Sequence, residues 1–274
     1  MFEPLKTSDG TVRDAQKTLL YGHHGWGKTT QAAHLQEHYG KTLILSGEAG
    51  LLSVSNVDID YLPFTSWAGK SDPSNGVYSL KDLMMFMTNK DFQERGYKCV
   101  VLDSLTEASQ MLTKEKFLEH KNNSNGFEKW SDIAGEMLGV VKQLRDFRMH
   151  VLVTALVTEQ EDDNGRTEYW PMITGKNTQK QLAGIFDNVF CGVRASNETK
   201  DDKGQSQGVR VERYLVTEKY NGWQGKIRDP RRRVKPVERT GNIVDLFKRM
   251  EMTTADFDAL KPNKQQPKES KVNE

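Results

Sequence analysis

Cysteine is scarce. The 274 residues hold only Cys99 and Cys191, too few and too far apart for a disulfide framework or a zinc site. Both read as buried thiols of a protein kept in a reducing cytoplasm. Long apolar runs are missing too: none approaches the ~18 residues that a membrane helix needs. The first segment, MFEPLKTSDGTVRDAQK, has no apolar stretch of the kind that opens a secretory signal. These absences predict a cytoplasmic protein with no membrane partner. Charge of one sign is not in excess either. Lys and Arg number 39 against 38 Asp and Glu, a net charge of +1, which excludes a uniformly basic nucleic-acid binder and confines any such surface to a local patch. There is no internal repeat.

What is there alternates. Four short apolar runs, residues 18–21, 42–45, 99–102 and 151–155, are nearly continuous rather than alternating, as expected of parallel strands covered on both faces. Helical patterns separate them at 29–39, 80–88, 106–120 and 130–147, the last with apolar positions at Ile133, Met137, Val140, Val141 and Leu144. The alternation predicts an α/β fold with a mainly parallel sheet flanked by helices. Residues 188–194 and 209–216 read as strands around the polar loop SNETKDDKGQSQG. With residues 223–227 they predict antiparallel strands added at one sheet edge. Short helices follow at 242–250 and 254–260. The chain thus divides into an N-terminal extension (1–16), one domain (17–260) and a polar tail (261–274) whose composition predicts disorder.

The chemistry concentrates after the first strand. Gly22-His23-His24-Gly25-Trp26-Gly27-Lys28-Thr29 fits G-x-x-x-x-G-K-[ST] between a predicted strand and a predicted helix, and these residues with Thr30 are the expected nucleotide-binding set. The glycines let backbone N–H groups curl around phosphate oxygens, and the helix N-terminus favours an anion. Lys28 would reach the β- and γ-phosphates, and the Thr29 hydroxyl would coordinate Mg²⁺. Trp26, bulky for such a loop, would pack on a neighbour or shield the phosphates. Cys99-Val-Val-Leu-Asp103-Ser104 is an apolar strand ending in an acid, suited to the same metal ion or to capping the next helix. Glu48 closes the second strand on the side where parallel sheets bind ligands. There it would orient and deprotonate an attacking water; the other reading is an ordinary turn acid between Gly47 and Gly50. Thr154 ends the fourth strand, as a γ-phosphate sensor or as a packing residue. His34-Leu-Gln-Glu37-His38 has the spacing of an inverted zinc-protease motif, but it lies on the helix leading away from the phosphates and reads as solvated polar residues.

Two further features bear on partners. Lys226 and Arg228 alternate on an extended segment, so both point to one face and could reach a triphosphate across a subunit interface. They begin a stretch in which six of ten residues are basic (Lys226, Arg228, Arg231, Arg232, Arg233, Lys235), with Tyr220 and Trp223 nearby to stack on bases. The other reading of that stretch is a solvated loop. The segment after Thr154 opens EQEDD, whose charge repels phosphate.

Together the P-loop, the acid after the second strand, the strand ending VLDS, the Thr-ending strand, Gly175-Lys176 and Phe186-Asp187 resemble the phage RecA-core ATPases, a family that includes single-strand annealing proteins. The likeness spans roughly residues 17 to 230. It implies a RecA-like core that binds and hydrolyses ATP with Mg²⁺ and assembles as a ring or filament on single-stranded DNA, beside phage single-strand-binding or replication proteins. It gives Glu48 the place of the catalytic glutamate, and Lys226 with Arg228 that of paired basic residues acting in trans. Other functions share the motif. A nucleotide-gated loader of a helicase or polymerase would bind tightly and hydrolyse slowly, and a small-molecule kinase would need an arginine-rich lid that the sequence lacks.

Overall fold

The computed structural model describes residues 15–48, 50–121, 126–200 and 206–260, the backbone alone at 197–200, 206 and 207. The extension at 1–14 and the tail at 261–274 lie outside the described residues. Strand β1 (Lys17–Gly22) runs into the P-loop and α1 (Gln31–Tyr39). Then come β2 (Thr42–Ser46), β3 (Asp60–Pro63), α2 (Leu80–Phe86), α3 (Lys90–Glu94) and β4 (Cys99–Asp103). A helical pair, α4 (Leu105–Glu119) and α5 (Gly126–Asp146), leads to β5 (His150–Ala155). The hairpin β6 (Val157–Glu161) and β7 (Thr167–Pro171) precedes α6 (Lys176–Ile185), β8 (Asn188–Lys200) and β9 (Ser206–Val216). Short strands β10 (Lys219–Tyr220), β11 (Trp223–Gln224) and β12 (Val237–Glu238) and helices α7 (Val244–Glu251) and α8 (Thr254–Ala259) complete the order.

The main sheet runs β12-β9-β8-β1-β5-β4-β2-β3. From β8 to β3 neighbours are parallel, and β9 and β12 are added antiparallel at one edge. This is the mainly parallel, helix-flanked α/β architecture that the strand–helix alternation predicts. Each central strand splits its apolar residues between two layers, which is why the runs are continuous. Leu19, Tyr21, Leu43, Leu45, Val100, Leu102, Val151 and Val153 pack toward α2, α4, α5 and α6. Leu20, Ile44, Val101, Leu152 and Phe190 pack with α1 and α7. The five apolar positions read along α5 are all buried. Cys99 and Cys191 are buried, and burial pushes both thiols up to about 12. No helix among the described residues is long and apolar enough to cross a membrane.

One strand was not expected, and two local expectations are corrected. β3 is an edge strand with half its residues exposed, so it shows no apolar run. The polar stretch between β8 and β9 is shorter as a loop than its composition suggests, because the hairpin ladder carries both strands into it as far as Lys200 and Ser206. Of the segment 223–227, Lys226 bridges Val189 of β8 antiparallel as expected, whereas residues 223–224 do not join the main sheet. Trp223 pairs with Tyr169 in a second sheet, β10-β11-β7-β6, where the two rings stack with centroids 4.3 Å apart. That sheet also makes a hairpin of the acidic segment after Thr154.

Trp26 holds the P-loop against β8. Its ring is fully buried and its indole N–H donates to the Val193 carbonyl at 3.1 Å. The space exists because β1 and β8 meet at two glycines: a Cβ on Gly192 would lie 2.6 Å from the Trp26 ring. Of the two expectations for Trp26, the side chain therefore packs on a neighbouring strand and does not cover the phosphates. Trp26→Ala is expected to destabilise the fold by about 3–5 kcal/mol in urea unfolding; a loss below about 1 kcal/mol would contradict this packing.

Candidate nucleotide site

The site is built where the carboxyl ends of β1, β2, β4 and β5 meet the start of α1. Helix α1 has no side-chain N-cap and no acid in its first turn, so nothing of its own satisfies or repels an anion there. The loop turns back through Gly25 at φ +70° and Gly27 at φ +103°, values that L side chains rarely adopt. Inside the curl, the Lys28 ammonium donates to the carbonyls of Gly22 and His23, both at 3.1 Å. Burial lowers the Lys28 pKa, while Glu48 and Asp103 act in the opposite sense and favour the cation. Gln31 fixes the floor. Its amide donates to the Gly27 carbonyl at 2.8 Å and the Gly241 carbonyl at 2.9 Å, and it accepts from the Ile243 N–H at 3.0 Å.

Strand parity brings the acids in. Ser46, Asp103 and Thr154 follow the residues that pack toward α1, so all three face the underside of the P-loop. Asp103 is 1% exposed, and its carboxylate accepts from the Thr29 hydroxyl at 2.7 Å and from the Thr154 hydroxyl. Glu48 is half-buried just past β2, where its carboxylate accepts from the Ser104 hydroxyl and its own carbonyl from Ser46 Oγ at 2.8 Å. A cavity of about 350 Å³ is bounded by His24, Gly25, Lys28, Thr29, Glu48 and Arg213. The structure thus gathers His24, Gly25, Gly27, Lys28, Thr29, Thr30 and Glu48 around one opening, with the Gly22 and His23 carbonyls behind Lys28 and buried Asp103 beneath Thr29.

Thr154 and the basic stretch depart from expectation, and Lys226 and Arg228, expected to act across a subunit interface, are placed here only within their own chain. Thr154 is fully buried with its hydroxyl committed to Asp103, so it orients that acid and does not face the cavity. Lys226 and Arg228 lie at the amino ends of the strands, away from the chain's own P-loop. The Lys226 ammonium donates to the Ala183 and Phe186 carbonyls, both at 2.8 Å, and Arg228 pairs with Asp187 at 2.9 Å beside a separate cavity of about 770 Å³. Much of the basic stretch is likewise tied to the fold. Arg231 and Arg233 donate to carbonyls at the end of α7, with Arg233 nine-tenths buried over Phe257. Trp223, at 8% exposure, is closed to a base, whereas Tyr220 is 49% exposed. Sequence reading missed Gln31, Ser104 and Arg213. Ser104 adjoins the acid-ending strand and was within reach; Gln31 bonds Gly241 and Ile243 more than two hundred residues away, and Arg213 is brought to the cavity by the register of a hairpin, which no local pattern reveals.

The donor set fits magnesium with a triphosphate: a threonine hydroxyl, a buried carboxylate, a buried ammonium and a loop whose glycines leave room beside the backbone. Among the described residues no group of three His, Cys, Asp or Glu could hold a metal ion by itself. An ion at Thr29 and Asp103 would complete its shell with phosphate and water oxygens.

Fold and loop together define a P-loop nucleotide-binding protein. The chain belongs to a family of AAA domains (AAA_24), whose model matches residues 14–228. No curated protein matches it. Among solved structures it is similar to a prototypical ATPase from the type III secretion system of pathogenic bacteria, at 13% identity and a TM-score of 0.40, over 64% of this chain. It spans half the length of that ATPase.

Replacing Thr154 by Val would leave one carboxylate oxygen of Asp103 without its donor inside the sheet. The expected loss is about 1–3 kcal/mol of stability by urea unfolding; an unchanged midpoint would show that Thr154 does not hold Asp103.

Proposed function

We propose that the protein hydrolyses ATP with magnesium at this site. The observation that carries the reading is the buried Asp103 carboxylate joined to the P-loop hydroxyl of Thr29, with the Glu48 carboxylate on the same cavity. The loop amides and Lys28 hold the β- and γ-phosphates. Magnesium, held by Thr29 and Asp103, would draw charge from those phosphates. Glu48, held by Ser104, orients a water and takes its proton as the water oxygen bonds to the γ-phosphorus. The bond from that phosphorus to the bridging oxygen breaks, leaving ADP and inorganic phosphate, and Glu48 returns the proton to solvent. The preference for adenine over guanine rests on the resemblance to RecA-core ATPases.

That resemblance also extends the proposal to single-stranded DNA in phage recombination or annealing. The chains would assemble as a ring or filament and work beside single-strand-binding or replication proteins. The second sheet supports it. Trp170 lies half-buried under the Lys180 ammonium at 6.0 Å and exposed Tyr220 follows Lys219, while Glu168 pairs with Lys219 and takes the Trp170 N–H, leaving Lys180 as the cation for a phosphate. Rings beside cations suit stacked bases and their phosphates.

The test is ATP turnover with and without single-stranded DNA. Lys28→Ala and Glu48→Gln are each expected to lower kcat by about 10²-fold or more, and DNA to raise it in the unmodified protein. Turnover that survives Lys28→Ala would remove the reaction from this site. Turnover indifferent to DNA would instead favour a nucleotide-gated partner switch.

A further inference from the structure

Two arginines face the P-loop from the hairpin β8–β9. Arg194 and Arg213 are direct cross-strand partners. Their parity places both on the α1 side of the sheet: Arg194 follows Phe190 and Gly192, which meet α7 and Trp26, and Arg213 precedes buried Leu215. The Arg194 guanidinium reaches the loop itself, its Nη1 lying 3.1 Å from where a Cβ on Gly25 would stand. Arg213 bounds the same cavity as Lys28, Thr29 and Glu48.

What these side chains lack is as telling as where they sit. Neither guanidinium makes a hydrogen bond or ion pair with any other described residue, and both are exposed. On the opposite face of the same hairpin, Glu212 engages both Arg210 and Arg239. Like charges directly opposite on an antiparallel pair are unfavourable. Two unpartnered guanidinium forks beside a phosphate loop are suited to an anion with several oxygens.

We propose that Arg194 and Arg213 form a clamp on the terminal phosphate of the nucleotide held by their own chain's P-loop, and that they supply in cis the positive charge hydrolysis requires. The clamp rests on the ATPase reading above. It differs from the expectation drawn from Lys226 and Arg228, because no neighbouring subunit is needed to complete the charge. As water adds to the γ-phosphorus and the bridging bond breaks, charge spreads over the equatorial oxygens, where planar guanidinium donors fit.

The experiment measures kcat, KM and the affinity ratio of ATPγS to ADP for Arg194→Ala, Arg213→Ala and Arg213→Lys, with Arg210→Ala as control. The clamp predicts that each alanine lowers kcat by about 10²–10³-fold and the ATPγS-to-ADP ratio by at least about tenfold. Arg213→Lys would recover part of both, and Arg210→Ala would change neither. Mixing Arg213→Ala with Lys28→Ala chains should restore no activity, since each chain then lacks part of its own site. Unchanged kcat and an unchanged ratio would overturn the clamp. Restored activity in the mixture would also overturn it, by showing that the arginine works across subunits. If the unmodified protein does not turn over ATP, the hydrolysis reading falls, and the clamp is then judged on the affinity ratio alone: a drop supports it and no drop overturns it.

Discussion

A carboxylate buried to 1% exposure in the middle of a sheet is costly unless its oxygens are hydrogen-bonded. Asp103 meets that condition with two threonine hydroxyls, one from the P-loop and one from the end of β5. The same bonds join three elements that are far apart in sequence: the loop after β1, the end of β4 and the end of β5. The position of Thr29, and with it the start of α1, follows from satisfying one acid.

The surroundings obey the same geometry. Because the central strands are parallel and alternate in facing, the last residue of each that points toward α1 arrives beneath the loop. Apolar residues at Leu20, Ile44, Val101 and Leu152 fill the layer farther down, and polar ones at Ser46, Asp103 and Thr154 take the top. On the other flank, Trp26 lodged against Gly192 brings the β8–β9 hairpin to the loop's edge and Arg194 with it. A core tryptophan thus sets the distance between the phosphate cradle and its neighbouring cations.

Much of this was legible in the sequence, and for stated reasons. Continuous apolar runs announced strands covered on both faces, and the phosphate loop between a strand and a helix carries a mechanism in its residue types. Asp103 and Glu48 were found because each closes such a run. What local reading could not supply is register. Arg213 faces the P-loop only because it stands opposite Arg194 across a hairpin, and Trp223 leaves the main sheet because Tyr169 offers a stacking partner. The basic stretch misled for a related reason: counting charges does not show that Lys226 and Arg233 are bound to carbonyls of their own chain. Thr154 stands one residue before the end of β5, and its hydroxyl serves an acid instead of a ligand.

The most direct test of the account is an experimental structure with ADP, magnesium and aluminium fluoride, a mimic of the transferring phosphate. The account predicts that Thr29 and Asp103 lie about the metal, that the Lys28 ammonium leaves the Gly22 and His23 carbonyls for phosphate oxygens, and that Glu48 faces the attacking side. A nucleotide bound elsewhere, or one whose phosphate stands out of reach of Lys28 and Glu48, would contradict it.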